Sequence, residues 1–141
     1  MTRTARCCCG TLQVAAAGEP SFVVACHCTE CQRRTGSVFG VSAYYPKAQI
    51  SPSGASKTHT RDGQDGRKLR LHFCPDCGTT VYWEADFRPD HFGVAVGAFA
   101  DPRFPAPIRS VWEQNRHPWI GFEHAPDGFA QQSMPKPATS Q

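Results

Sequence analysis

All eight cysteines of this chain fall into three short clusters: Cys7-Cys8-Cys9-Gly10, Cys26-His27-Cys28-Thr29-Glu30-Cys31 and Cys74-Pro75-Asp76-Cys77-Gly78. Thiolates are soft ligands that suit zinc. Four close a tetrahedral structural site, whereas three leave a coordination position for chemistry. Seven of the eight cysteines divide into a four and a three, with one thiol spare.

Residues i and i+2 of an extended strand share a face. The spacing therefore predicts that Cys7 and Cys9 present sulfur on one side while Cys8 points away. Cys74 and Cys77 flank a Pro-Asp turn closed by Gly78, the pattern of a zinc knuckle. A four-cysteine site built from these two pairs ties the N-terminus to the middle of the chain. It contributes on the order of 10 kcal/mol to folding. Cys26, Cys28 and Cys31 lie within six residues and can converge on a second ion, with His27 between two of them and directed away. Two other partitions stay open. The trio can share one structural site with Cys74 and Cys77, leaving Cys7 and Cys9 idle, or Cys8 can compete with Cys7. A disulfide scaffold is a third use of eight cysteines. Met1–Arg6 contains no apolar h-region, so reduced, metal-bound thiolates in the cytoplasm are the expectation instead.

Three thiolates on Zn²⁺ carry a formal charge of −1, so bound water is less acidified than at a site of neutral ligands. Such a site favours a fourth soft ligand, the thiol of a small molecule, which coordination deprotonates. A thiolate is a nucleophile towards an electrophilic carbon. Arg33 and Arg34 follow the trio directly and can hold the carboxylates of an anionic thiol. Gly36 and Ser37 can add hydrogen-bond donors. His27, His72 and His117 are acid/base candidates by type, and Phe39 and Trp119 are candidates to line a pocket.

The elements that must position these residues read as short strands. Residues 7–25 predict two strands around the break at Gly18-Glu19-Pro20, with Thr11–Val14 and Ser21–Ala25 as the runs. Cys26–Arg34 reads as a compact loop with room for a helical turn. Val38–Tyr45, Lys68–Phe73, Thr79–Glu84, Phe92–Phe99 and Ile108–Trp112 are further strands, and residues 51–66 read as turn-rich connections. Pro102, Pro105 and Pro107 forbid a continuing helix. The expected class is all-β, one domain over residues 1–125 followed by a loose tail over 126–141. With 141 residues, 40% of them hydrophobic, packing alone gives a modest core, which metal cross-links supplement. No run of about 18 apolar residues implies a membrane span. The net charge of +3 shows no clustered basic stripe, so a nucleic-acid partner is not expected.

Taken together, these motifs resemble the glutathione-dependent formaldehyde-activating enzyme family, which includes relatives of centromere protein V. The resemblance rests on Cys7–Gly10, on Cys26-His27-Cys28-Thr29-Glu30-Cys31-Gln32-Arg33-Arg34-Thr35-Gly36-Ser37 and on Phe73–Thr79. The run Val94–Phe99 and the segment Pro118-Trp119-Ile120 match more weakly, and the likeness spans residues 5–122. It implies a small zinc-stabilised β-tent fold. It implies a structural zinc on Cys7, Cys9, Cys74 and Cys77 and a catalytic zinc on Cys26, Cys28 and Cys31. It also implies a carbon–sulfur lyase joining glutathione and formaldehyde into S-(hydroxymethyl)glutathione. The competing reading is a zinc-ribbon-like module that binds protein or nucleic acid without catalysis. In that reading Arg67, Lys68, Arg70 and His72 would meet phosphates. Their alternation with Leu69, Leu71 and Phe73 reads more simply as the solvent face of a strand.

Overall fold

A computed structural model describes residues 1–63, 65–124 and 126–132. Eleven strands and one short helix are present among them. β1 (Thr2–Arg6), β2 (Gln13–Ala17) and β5 (Ile50–Ser53) form a small antiparallel sheet in the order β1-β2-β5. The larger sheet runs β11-β10-β3-β4-β9-β8-β7-β6. Its members are β3 (Phe22–Cys26), β4 (Gly40–Pro46), β6 (Lys57–Asp62), β7 (Lys68–Phe73), β8 (Thr80–Ala85), β9 (His91–Ala95), β10 (Arg109–Val111) and β11 (Asp127–Gly128). The helix α1 spans Thr29–Thr35. This is the small all-β fold expected from the strand pattern.

Period-2 alternation gives the central strands two buried faces. Val23, Ala43 and Tyr45 pack with Ala5, Leu12, Val14 and Ala16 of the small sheet's side, forming the main core. The intervening residues Val24 and Tyr44 join Val111, Trp112 and Cys28 in a second cluster on the opposite face. On that face the register aligns a row across five strands. Phe22 is opposite Tyr44, Tyr44 opposite Gly93, Gly93 opposite Trp83, and Trp83 opposite Leu71. A Cβ on Gly93 would sit 2.2 Å from Trp83 Nε1, so the missing side chain is what lets the indole lie across β9.

Several segments depart from the sequence expectation. Residues 51–66 were expected as connections, yet they contribute β5 and the whole of β6. Both are sheet edges, where solvent-facing strands need no apolar alternation, and Thr58 and Thr60 supply β-branched residues. Thr2–Arg6 forms β1, which its polar composition did not announce. Val96–Phe99 turns into a 3₁₀ segment instead of extending β9. Cys7–Gly10 is a turn, closed by Gly10 N–H donating to Cys7 O at 3.0 Å, and not a strand. Of the segment expected as a tail, Asp127 and Phe129 donate backbone bonds to Ile108 and Ser110, at 3.1 and 2.8 Å. Residues 133–141 of that segment lie outside the described residues. No helix among the described residues is long and apolar enough to cross a membrane.

Gly93→Ala should force Trp83 off its place across β9. Overpacking of this kind costs roughly 1–3 kcal/mol. Denaturant unfolding followed by tryptophan fluorescence should show a lowered midpoint at an unchanged slope.

Candidate metal centre and pocket

The sulfurs of Cys7, Cys9, Cys74 and Cys77 all lie within 4.8 Å of one another. Cys9 Sγ is 3.6 Å from both Cys7 Sγ and Cys74 Sγ. A bonded pair would be near 2.05 Å, and all eight cysteines are free thiols. Zinc–sulfur bonds of about 2.3 Å give sulfur–sulfur edges of about 3.8 Å in a tetrahedron, so this donor set fits zinc. Backbone N–H groups of Leu12 and Asp76 donate to Cys7 and Cys74 sulfur at 3.2 and 3.4 Å. The Thr79 hydroxyl, 3.3 Å from Cys77 Sγ, leads the hydrogen bonds that hold the Cys77 thiol down to about 5. Thr11, 3.2 Å from Cys9 Sγ, lowers the Cys9 thiol in the same way. Cys8 is exposed and outside the cluster, and its N–H donates to Thr79 Oγ1 at 3.2 Å.

Cys26, Cys28 and Cys31 form a second group, again with all sulfurs within 4.8 Å. The fold assembles it by alternation. His27 turns inward, fully buried, with Nε2 2.9 Å from Ser110 Oγ of β10. Cys26 and Cys28 therefore face the other side. Cys28 caps α1, its sulfur accepting the Cys31 N–H at 3.2 Å, and Gly36 closes the helix in the left-handed conformation. A seven-residue helix is too short to be stable alone, so these caps matter. Gln32 ties it down further, donating from Nε2 to His27 O at 2.9 Å. Hydrogen bonds from Cys26 and then Cys31 hold the Cys28 thiol far below the ordinary range, while the same contact with Cys28 drives the Cys26 thiol upward.

The trio opens on a pocket above the cross-strand row. Phe22, Tyr44 and Trp83 line its floor, with Leu69, Leu71, Phe87 and Trp112 around them. Arg34, Arg61 and Arg88 also line it. The Arg34 guanidinium lies 4.6 Å from the Trp83 ring centre and the Arg88 guanidinium 4.3 Å from that of Phe22. A Cβ on Gly40 would come within 2.7 Å of Arg34, so this glycine makes the arginine's room. Asp65 is the acidic lining residue and is bonded to Arg67, with Nε to Oδ2 at 2.8 Å. Trp83 Nε1 donates to Tyr44 Oη at 3.5 Å. Burial pushes the Tyr44 phenol up to about 12, so it stays protonated at neutral pH. Trp112 holds φ +57°, an outlier for an aromatic residue, fixed by backbone bonds to Asn115 and Gln131.

Several expected site residues lie elsewhere. Arg33 is largely exposed and pairs with Glu30 at 3.4 Å, because helical spacing turns it away from Arg34. His27 belongs to the core. His72 stacks on Tyr82 at 4.4 Å and contacts Thr58 and Glu84. His117 contacts Gln32 Oε1 at 3.3 Å. None of the three lines the pocket. Phe39 packs on His27 and Phe122, and Trp119 is 71% exposed. The basic residues near the second knuckle meet carboxylates: Arg67 with Asp65, Lys68 with Asp62, Arg70 with Asp86, and His72 with Glu84. Arg61, Arg88 and Tyr44 carry no motif signal. Strand register brings Arg61 and Tyr44 to the trio, and the turn between β8 and β9 brings Arg88.

Two curated relatives are 27% identical to this chain, from Fusarium vanettenii over 124 residues and Colletotrichum graminicola over 127. The matches cover 80% and 82% of this chain, which spans 66% and 65% of those longer proteins. Both bear the name glutathione-dependent formaldehyde-activating enzyme as a provisional title. A crystal structure of a Rhodobacter sphaeroides protein shares the fold at a TM-score of 0.55 and 20% identity, over 71% of this chain and 92% of that one. The model of the glutathione-dependent formaldehyde-activating enzyme family matches residues 2–115, and the chain belongs to that family.

Proposed function

We propose that this chain is a zinc-dependent carbon–sulfur lyase that makes and breaks the adduct of glutathione with a small aldehyde. The observation that carries the reading is the convergence of three sulfurs on an arginine-lined pocket. Cys7, Cys9, Cys74 and Cys77 would hold a structural zinc, and Cys26, Cys28 and Cys31 a second one. Zinc in the second site supplies a place where a substrate thiol is bound and made acidic. The chain's own groups do the rest. Arg34, Arg61 and Arg88 are placed to bind the carboxylates of glutathione through charge-assisted hydrogen bonds. In this reading Arg34 works with two arginines from elsewhere in the chain, and Arg33, exposed and paired with Glu30, takes no part. The aromatic floor excludes water and so strengthens those contacts. Tyr44 Oη keeps its proton and donates to the aldehyde oxygen as negative charge develops there. The sulfur–carbon bond forms, the carbonyl pair moves to oxygen, and the proton lost by the thiol ends on that oxygen. The reduced thiols this arrangement needs suit the cytoplasm.

Zinc-loaded protein should accelerate both formation and breakdown of the hydroxymethyl thiol adduct. Cys28→Ser should abolish that acceleration and lower zinc from two ions per chain to one, whereas Cys8→Ser should change neither. Activity surviving Cys28→Ser would sink the assignment. Arg34→Ala should raise KM for glutathione roughly tenfold, the usual worth of a hydrogen bond to a charged group. Arg33→Ala should leave it within about twofold, as for other exposed ion pairs. Tyr44→Phe, which keeps the ring in place, should lower kcat roughly a hundredfold, as loss of a single oxyanion donor does.

A further inference from the structure

Phe22 carries two guanidiniums, that of Arg88 4.3 Å from its ring centre and that of Arg109 5.0 Å from it. A guanidinium lying on a ring keeps its N–H donors available at its edge. Neither arginine is in an ion pair among the described residues; the ion-paired arginines are Arg3, Arg33, Arg67, Arg70, Arg103 and Arg116. Burial, and then the Arg109 charge, push the Arg88 guanidinium below its ordinary range. Two like charges thus share one ring with no acid to offset them, a standing demand for an anion. The strands place this pair at the pocket's edge. Phe22, Val24 and Cys26 alternate onto the face that lines it. Arg109 is aligned with Val24, and its neighbour Ser110 turns the other way to meet His27. Arg109 and Val111 therefore share the pocket side. Val24 and Phe22 lie roughly 7 and 13 Å along β3 from Cys26, at about 3.3 Å per residue.

We infer that Arg88 and Arg109 form the subsite for the glycine carboxylate of glutathione, and that Arg109 thereby sets the length of thiol the site accepts. This rests on the thiol reading above and divides the two carboxylates between the arginines. The extended Cys-Gly half of glutathione spans roughly 7 Å, and the cysteine side chain adds to that reach. The carboxylate of free cysteine hangs beside its own thiol arm and stays near the trio. The γ-glutamyl carboxylate has an ammonium next to it, which two unpaired guanidiniums repel. That end of the ligand suits Arg34 and Arg61, because the acidic lining residue Asp65 stands there, its Oδ1 3.3 Å from the Cβ position of Gly63. The glycine carboxylate carries no ammonium and accepts from both guanidiniums on Phe22.

Glutathione and its glycine amide, which keeps the thiol and the γ-glutamyl arm, separate this inference from its foundation. Calorimetric titration of zinc-loaded protein should show the amide binding roughly tenfold more weakly, the usual worth of a hydrogen bond to a charged group. Arg109→Gln, which keeps a polar side chain at the half-buried position, should weaken glutathione to about the level of the amide and leave the amide within about twofold. Arg88→Gln should do the same. Arg109→Lys, which keeps the charge without the planar fork, should fall between. Equal affinity for the two compounds in the unmodified protein, or an Arg109→Gln change that moves both alike or neither, overturns the subsite and leaves the thiol reading standing. No binding of either compound overturns both.

Discussion

The buried hydrogen bond between His27 Nε2 and Ser110 Oγ, 2.9 Å long, pins the chain just past the end of β3 against β10. A strand end held on one face must present its neighbours on the other. Cys26 and Cys28 are those neighbours, and Cys28 goes on to cap α1 and bring Cys31 beside it. Leaving such a histidine's partner out would strand a buried polar group, which is costly. The central histidine of the C-H-C motif thus positions the sulfurs from the opposite side and does not line their pocket. The same alternation continues along β4, where Ala43 and Tyr45 enter the main core while Ser42 and Tyr44 line the pocket.

A sheet with two covered faces buries more per strand, but in this chain the second sheet is only three strands wide. The four-sulfur cluster joins the turn before β2 to the knuckle between β7 and β8, residues far apart in sequence. Metal binding is itself folding free energy in small domains of this kind. The two sulfur groups then divide the work. One, partly exposed and backed by Thr11 and Thr79, lies between two turns far apart in sequence, where a bound zinc would tie the sheets together. The other, set between α1 and β3, faces a pocket of opposite character: apolar floor, cationic lining.

The cysteine groups were legible from spacing, because side chains within six residues of one another have few ways to disperse. A turn, and not the extended strand that the i, i+2 spacing predicts, brings the Cys7 and Cys9 sulfurs together. β7 announced itself through alternation, Lys68, Arg70 and His72 against Leu69, Leu71 and Phe73, and β4, buried on both faces, through its apolar run. β1, β5 and β6 did not, because edge strands facing water carry no such pattern. The pocket was the least legible part. Arg61 and Tyr44 meet the trio through register across the large sheet, and Arg88 through the turn between β8 and β9, neither of which a linear pattern encodes. Arg33 and Arg34 looked equivalent in sequence, and helical rotation separates them.

The most direct test of the account is anomalous diffraction at the zinc edge from crystals grown with reductant and glutathione. Two zinc peaks are predicted, one inside Cys7, Cys9, Cys74 and Cys77 and one inside Cys26, Cys28 and Cys31, with glutathione sulfur beside the second and its carboxylates on Arg34 and its neighbours. A single peak at the four-sulfur cluster, or a second zinc with glutathione bound away from it, would contradict the division of the two sites.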